Sequence, residues 1–361
     1  MHLLAQRDGK WGYVNVYEGT EIAFEFEQAT HFSEGLAAVK KDGRIGWIDE
    51  TGELVIPLEY EHSAMLSLSE LSFCGGLAAA IRGGKMGCID RHGRPVLDFA
   101  YKRVRLSGEN HIVIETEKGW GLVDRFGGMA VEPVYSYLAA PKEGLVQAGD
   151  GHRYGFLTPT GEVAIELTYK WAEDFSEGLA PVSDPDTHTN AGYGQFGYIN
   201  RDGDLAIGYG WDWTFAYCDG IAMVMEAPTP QERRYGFIDR KGQPVVDVIY
   251  ERGAFRHGLL WLKREGRCGV LTSSAAEVLP FEYDSLISPA TGLVAAKRDS
   301  RWGLIDLKGR VLVDFSFDDA KSFGGGVWPV RRDGLWGLVD QHGDLVTPFE
   351  YQWMAPPARR K

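Results

Sequence analysis

The sequence predicts an all-β protein of ten three-stranded repeats of about 34 residues, forming a propeller-like toroid. Three observations carry this prediction. A phrase seen at Gly119-Trp120-Gly121-Leu122-Val123-Asp124-Arg125-Phe126-Gly127 recurs along the whole chain. Its central glycine falls at Gly12, Gly46, Gly87, Gly121, Gly155, Gly197, Gly236, Gly269, Gly303 and Gly337, with successive spacings of 34, 41, 34, 34, 42, 39, 33, 34 and 34 residues. The runs between turns are β-branched and only four or five residues long, leaving no window for an amphipathic helix. A 34-residue period also suits helical tetratricopeptide repeats, but the 46 glycines punctuate strands.

The residue before the signature glycine is bulky: Trp11, Trp120, Trp302 or Trp336 in four repeats, Tyr154, Phe196 or Tyr235 in three, and Ile45, Met86 or Cys268 in the rest. Two residues after it stands a branched aliphatic, from Val14 to Val339. Side chains alternate along a strand, so a strand apolar on both faces is covered on both. The missing side chain lets a neighbouring ring or backbone approach closely.

An Asp-x-x-Gly turn follows, as in Asp49 to Gly52 and Asp306 to Gly309, where the carboxylate caps the turn and glycine takes positive φ. Ala275 replaces that glycine in the eighth repeat. A second strand such as Leu54-Val55-Ile56 comes next. Fourteen residues after each signature glycine stands a ring: Phe26, Tyr60, Tyr101, Tyr135, Tyr169, Trp211, Tyr250, Tyr283, Phe317 or Tyr351, a core position. Phe-x-x-Gly, at Phe32, Phe175 and Phe323, leads into a third strand such as Leu36-Ala37-Ala38-Val39, whose Lys41-Asp42-Gly43 turn enters the next phrase.

Lys10-Trp11-Gly12-Tyr13, Gly119-Trp120-Gly121-Leu122-Val123-Asp124, Arg301-Trp302-Gly303-Leu304-Ile305-Asp306 and Phe175-Ser176-Glu177-Gly178-Leu179-Ala180 resemble the bacterial WG-repeat family. The resemblance spans essentially the whole chain, the third, sixth and eighth repeats diverging most. It implies an all-β, propeller-like or solenoidal protein, usually bacterial, and no particular activity.

At 361 residues, with 44% apolar residues, the chain can bury a large core, and one repeat domain over 1–361 is expected. His2 to Gly9 aligns with the third strand and turn of other repeats, while the last repeat stops at Pro356-Pro357-Ala358-Arg359-Arg360-Lys361, where its own third strand is due. The N-terminal strand 2–9 is expected to complete the last repeat and hide the unpaired edges of a toroid; an open β-solenoid is the alternative.

A net charge of -13 argues against nucleic acid and suits a basic partner. Cys74, Cys88, Cys218 and Cys268 show no metal or redox spacing and read as small core residues. The start lacks the apolar run and cleavage site of a signal peptide, and no segment suits a membrane span, so a cytoplasmic location is expected.

Catalytic motifs are absent, so no enzyme, no metal and no cofactor is expected. His92 and His342 sit in turns, and the acids of Glu59-Tyr60-Glu61 and Glu282-Tyr283-Asp284 read as solvated strand edges. The oxygen-rich Ser183 to Asn190 stretch matches no calcium loop and reads as a polar loop. Insertions are more informative. The fifth repeat carries extra residues in Ser183 to Gly194 and the sixth in Ala227 to Arg234, both in the hairpin before the next signature; a third, Leu66 to Ser72, lies elsewhere. Between the first two, Tyr209 and Trp213 exceed the consensus. The expected binding residues are Tyr209 and Trp213 as apolar anchors, with Asp184, Asp186, Arg233 and Arg234 as a charged rim. Together these predict a non-enzymatic scaffold that binds a protein, one concrete form being an immunity protein neutralising a toxin. A glycan or small-ligand module is the alternative.

Overall fold

The computed structural model describes residues 2–15, 20–63, 67–107, 110–186, 195–229, 231–288, 293–321 and 326–354. The fold is all-β and of the propeller type, with ten small antiparallel sheets, eight of four strands and two of three among the described residues. The one helical turn described, the 3-10 segment Leu68–Leu71, lies in the insertion of the second repeat and is closed by a Ser67–Glu70 capping box. Leu66, which opens that insertion, lies outside the described residues.

The register explains the signature. In all ten sheets the bulky residue before the glycine pairs directly with the ring fourteen residues beyond the glycine: Trp11 with Phe26, Ile45 with Tyr60, Met86 with Tyr101 and so on to Trp336 with Tyr351. The next pairing, such as Tyr13 with Ile22, is reached only after a register shift, so the partner strand bulges over the glycine. A Cβ on Gly46 would lie 2.6 Å from the Ile56 carbonyl oxygen, and one on Gly87 2.5 Å from that of Leu97. The close approach expected beside the glycine is therefore made by the bulged strand of the same sheet. In several repeats a ring from the bulge fills the gap, as Phe281 does over Gly269, and an arginine covers the ring: Arg7 over Phe24 at 4.2 Å, Arg264 over Phe281 at 4.8 Å.

The Asp-x-x-Gly turns behave as expected. Asp49 accepts backbone hydrogen bonds from Thr51 and Glu53, and Asp306 those from Lys308 and Arg310. Hydrogen bonding holds these carboxyls below the usual range, chiefly that from the Thr51 hydroxyl to Asp49 and that from the Arg310 N–H to Asp306. His92 and His342 are exposed turn residues whose amides point at Asp90 and Asp340.

The fourth strand was not legible as a separate run. Among the described residues, in eight of the ten sheets this strand is the continuation of the preceding segment past its ring: Glu21–Phe26 pairs with Lys10–Asn15, and Gln28–Ala29 then pairs with Leu36–Lys41. Two residues are too few for an alternating pattern to register. In the seventh sheet the same role falls to Trp213–Thr214, paired with Ile221–Thr229.

Glu61 and Asp284 are not solvated edges. The Glu61 carboxylate accepts the amides of Gly83 and Gly84, both at 3.0 Å, and Asp284 accepts that of Ser300. The acid after the core ring thus caps the hairpin turn that precedes the next signature. A second set of carboxylates joins successive repeats at the Phe-x-x-Gly turns. Glu34, itself at φ 54, accepts the amides of Gly75 and Gly76, and Glu143 accepts those of Glu177 and Gly178. Phe323 lies outside the described residues.

The chain forms two compact units, Met1–Asn110 with Arg125–Gly127 and Asp284–Lys361, and His111–Asp124 with Gly128–Tyr283. In the first, His2–Arg7 is hydrogen-bonded on one side to Lys10–Asn15 and on the other to Trp353–Met354, as the N-terminal strand was expected to be. Leu3, Ala5 and Val14 are buried with Val327, Trp336, Leu338, Tyr351 and Met354. Pro356 to Lys361 lie outside the described residues. The second unit holds equivalent cores, such as Phe156, Ile165, Tyr169 and Phe175.

All four cysteines are free, but only Cys88 is fully buried; Cys74 and Cys268 are half-buried and Cys218 is exposed. The core reading fails for Cys218 because it stands at the turn position that Ser176 occupies one repeat earlier, where each residue bridges to its hairpin partner.

Candidate functional site

The site is built in the second compact unit by two repeat positions: the bulky residue before the signature glycine, and the second residue after the core ring. In the fourth to sixth repeats aromatics fill both. Tyr137 stands in the short strand Tyr137–Leu138, and Trp213 in Trp213–Thr214. Tyr154 and Phe196 open Tyr154–Leu157 and Phe196–Ile199. Trp171 stands two residues after the core ring of Tyr169. The rings touch in series: Tyr137 with Tyr154 at 5.9 Å, Tyr154 with Trp171 at 5.7 Å, Trp171 with Trp213 at 5.5 Å and Trp213 with Phe196 at 4.6 Å between centroids. The tilted and edge-on angles are those that aromatic quadrupoles favour. All but Phe196 are only half-buried, so the row presents apolar surface to solvent.

Both extended hairpins begin beside this row. Ser183 exchanges hydrogen bonds with the Trp171 backbone, one through its N–H and one through its hydroxyl, and Asp184 follows at once. Trp213 pairs across the sheet with Met225, and the Asp212 carboxylate accepts the Ala227 amide at 2.8 Å.

Several expectations are corrected here. The stretch from Ala227 to Arg234 is not a loose loop: Ile221–Thr229 and Glu232–Asp239 prolong their ladder, with Glu226 opposite Arg234 and Thr229 opposite Glu232. Alternating exposed side chains and a tight turn suffice to extend a hairpin. Pro230 and residues Thr187 to Gly194 lie outside the described residues. Tyr209 is not excess over the repeat. It holds the bulge position that Phe24, Phe281 and Phe349 hold elsewhere, and it packs half-buried on the core of Tyr169 and Phe175. Trp213 likewise shares its repeat position with Tyr137, Trp171 and Trp353.

The charged residues fall into two groups. Asp184 and Asp186 face Tyr209, whose hydroxyl is pushed up to about 12, mainly by burial, with Tyr169 and these two carboxylates adding to it. Asp184 accepts the Asp186 amide at 2.9 Å. Arg233 and Arg234 are exposed on the prolonged hairpin, where Arg234 pairs with Glu232 of its own hairpin. The structure thus joins Asp184 and Asp186 to Tyr209, and Trp213 to the base of the second hairpin.

Sequence reasoning missed Glu173 and Asp174. Burial pushes both carboxyls up; Asp174 adds to the rise at Glu173, while Lys142 opposes the rise at both. The stretch Trp171-Ala172-Glu173-Asp174 was the available signal, two adjacent acids one residue beyond an aromatic, at positions taken by Thr30 and His31 in the first repeat.

Such a surface, aromatic rings carried at fixed repeat positions beside hairpins of variable length, defines an all-β repeat scaffold of the propeller type. The chain belongs to the WG containing repeat family, whose pattern matches residues 11–44, 45–63, 120–148, 154–184, 235–268, 302–336 and 336–358. No curated protein matches the chain. Among solved structures, that of a eukaryotic initiation factor is 11% identical, with a TM-score of 0.53 over 89% of this chain and 98% of that one, a likeness of fold alone. Weaker matches include apo AztD from Citrobacter koseri, with 11% identity and a TM-score of 0.35 over 99% of this chain and 94% of that one. An uncharacterized protein from Listeria monocytogenes EGD-e has 11% identity and a TM-score of 0.36 over 66% of this chain and 90% of that one. Among the described residues no helix is long and apolar enough to cross a membrane.

Proposed function

We propose that the protein is a non-enzymatic scaffold that binds another protein through the surface of the fifth and sixth repeats. The observation that carries this reading is the meeting of Trp171 and Trp213 at 5.5 Å, each at the base of a hairpin longer than the repeat requires. Strand and turn positions are committed to packing, whereas added hairpin length is free to serve recognition. Half-buried tryptophans supply anchors, and Asp184, Asp186, Arg233 and Arg234 a polar rim. The net charge of -13 favours a basic partner. A cytoplasmic bacterial immunity protein that neutralises a toxin is one form of this function, and it fits an acidic chain without catalytic motifs.

The test is affinity capture with the intact chain and with variants in which Ser183 to Gly194 or Ala227 to Arg234 is cut to the length found in other repeats. Shortened variants should lose the captured partner while melting at nearly the native temperature. Full capture by both would move the site elsewhere. A glycan-binding reading draws on the same ring row, since sugar faces stack on tryptophan; binding to a glycan array that survives removal of both hairpins would favour it.

A further inference from the structure

In five repeats the strand before the signature turn ends in an arginine whose guanidinium covers the ring of the bulge. Arg7 lies 4.2 Å from the centroid of Phe24, Arg82 4.9 Å from Phe99, Arg264 4.8 Å from Phe281, Arg298 4.4 Å from Phe315 and Arg332 5.0 Å from Phe349. Four other repeats have Leu58, Pro133, Leu167 or Val248 in the bulge, and there the register puts Lys41, Thr116, Asp150 or Glu226 where the arginine would stand. The arginine thus accompanies the ring: it is present wherever the bulge residue is phenylalanine and absent wherever that residue is not aromatic. Lys321 covers Trp336 and Trp353 in a similar way, at 4.2 and 4.4 Å. A guanidinium is planar and weakly hydrated, so it lies on a ring while its N–H edge stays available to an acceptor.

The sixth repeat breaks this rule. Its bulge residue is Tyr209, half-buried against the core of Tyr169 and Phe175, so part of the ring is left to solvent. In the first repeat Gln6 pairs with Trp11 and Arg7 with Lys10; in the sixth Ser183 pairs with Phe196, and the Asp184 amide donates to the Gln195 carbonyl at 2.7 Å. Asp184 therefore stands where Arg7 stands, and a position that holds a guanidinium over every phenylalanine holds a carboxylate beside this tyrosine. Asp184 and Asp186 both act on the Tyr209 hydroxyl, which places their charges near the ring. One Asp184 oxygen accepts the Asp186 amide at 2.9 Å, and the other accepts no hydrogen bond among the described residues.

We infer that Tyr209, Asp184 and Asp186 receive an arginine side chain of a partner protein, in the arrangement that Arg7 makes with Phe24 inside the chain. This rests on the protein-scaffold reading and names the residue that the scaffold recognises. The ring takes the place of water on one face of the guanidinium, while the carboxylates accept hydrogen bonds from its edge. Ring and charge together select this occupant. A neutral sugar would make no use of the two charges, and an acidic segment would be repelled by them. A lysine ammonium is more strongly hydrated and has no flat face to lay on the ring.

The test is fluorescence anisotropy with labelled hexaarginine and hexalysine peptides at physiological salt. The native protein is compared with Asp184→Arg, Tyr209→Leu, Tyr209→Phe and Glu162→Arg, the last being a control of equal charge change on an exposed residue. Melting curves confirm that each variant is folded; leucine already fills the bulge at Leu58 and Leu167, and phenylalanine at Phe24. Hexaarginine should bind the native protein more tightly than hexalysine. Asp184→Arg supplies from within the arginine that the other ringed repeats carry, and should weaken hexaarginine binding by about ten-fold or more. Tyr209→Leu leaves the charge unchanged and should weaken it about five-fold, with Tyr209→Phe and the control within about two-fold of the native protein. Equal loss in Glu162→Arg would show diffuse attraction to an acidic surface and overturn the proposal, as would full binding by Asp184→Arg, full binding by Tyr209→Leu, or equal affinity for the two peptides. The wider reading is tested separately. A captured partner that binds Asp184→Arg and Tyr209→Leu at full strength would leave the scaffold standing without this seat, whereas failure to capture any partner would count against the scaffold itself.

Discussion

The carbonyl of Gln6 accepts a 2.9 Å hydrogen bond from the amide of Gln352, so the two ends of the chain meet in one sheet. Arg7 strengthens the junction by pairing with Glu21 and Glu350. Deleting residues 1–9 would leave Trp353–Met354 without its neighbour and expose the Leu338 and Met354 core. The melting temperature should fall by several degrees and light scattering should show aggregation.

Trp336 is enclosed by Leu3, Val327 and Leu338, with Lys321 over its face. Trp336→Ala should cost about 3–5 kcal/mol by chemical denaturation. Trp11, half-buried at the equivalent position, should cost less when cut to alanine.

Gly46 and Ala275 test the backbone in opposite directions. Gly46→Ala drives a methyl into the Ile56 carbonyl and should destabilise by about 1–3 kcal/mol. Ala275 is held at φ 63, where its neighbours in other repeats carry glycine. Ala275→Gly should relieve that strain and raise stability by about 0.5–1 kcal/mol.

Burial pushes the Cys88 thiol up to about 12; burial and the nearby Asp219 and Glu177 also raise the Cys218 thiol, but Cys218 is exposed to reagent. The reactive species is the thiolate, which at pH 8 is nearly absent from Cys88. Mass spectrometry after brief alkylation should find Cys218 modified and Cys88 untouched until denaturant is added.

Period and burial made most of the fold legible. The signature glycine and the ring at Tyr60 or Tyr351 each answer to a constraint repeated ten times, the turn aspartate recurs in six repeats with Asn or Thr in the others, and repetition exposes such constraints. The bulge position was harder, because Phe24, Leu58, Pro133 and Tyr209 all occupy it, and so Tyr209 passed for an addition. The caps formed by Glu34 and Glu61 were invisible because their partners are backbone amides, which leave no mark on residue identity. Lys321 could not be tied to Trp336 and Trp353 without the sheet register that brings them together. Trp213 was legible as unusual, while its contact with Trp171 depends on how successive short strands are placed.

The central claim, that Trp171 and Trp213 anchor a protein partner between two prolonged hairpins, is tested most directly by hydrogen exchange on the complex with the captured partner. Amides at Trp171 to Asp186 and at Tyr209 to Tyr235 should gain protection on binding, with little change around Trp11 or Trp302. Protection confined to the first compact unit, with the Trp171 and Trp213 segments exchanging as they do in the free protein, would contradict it.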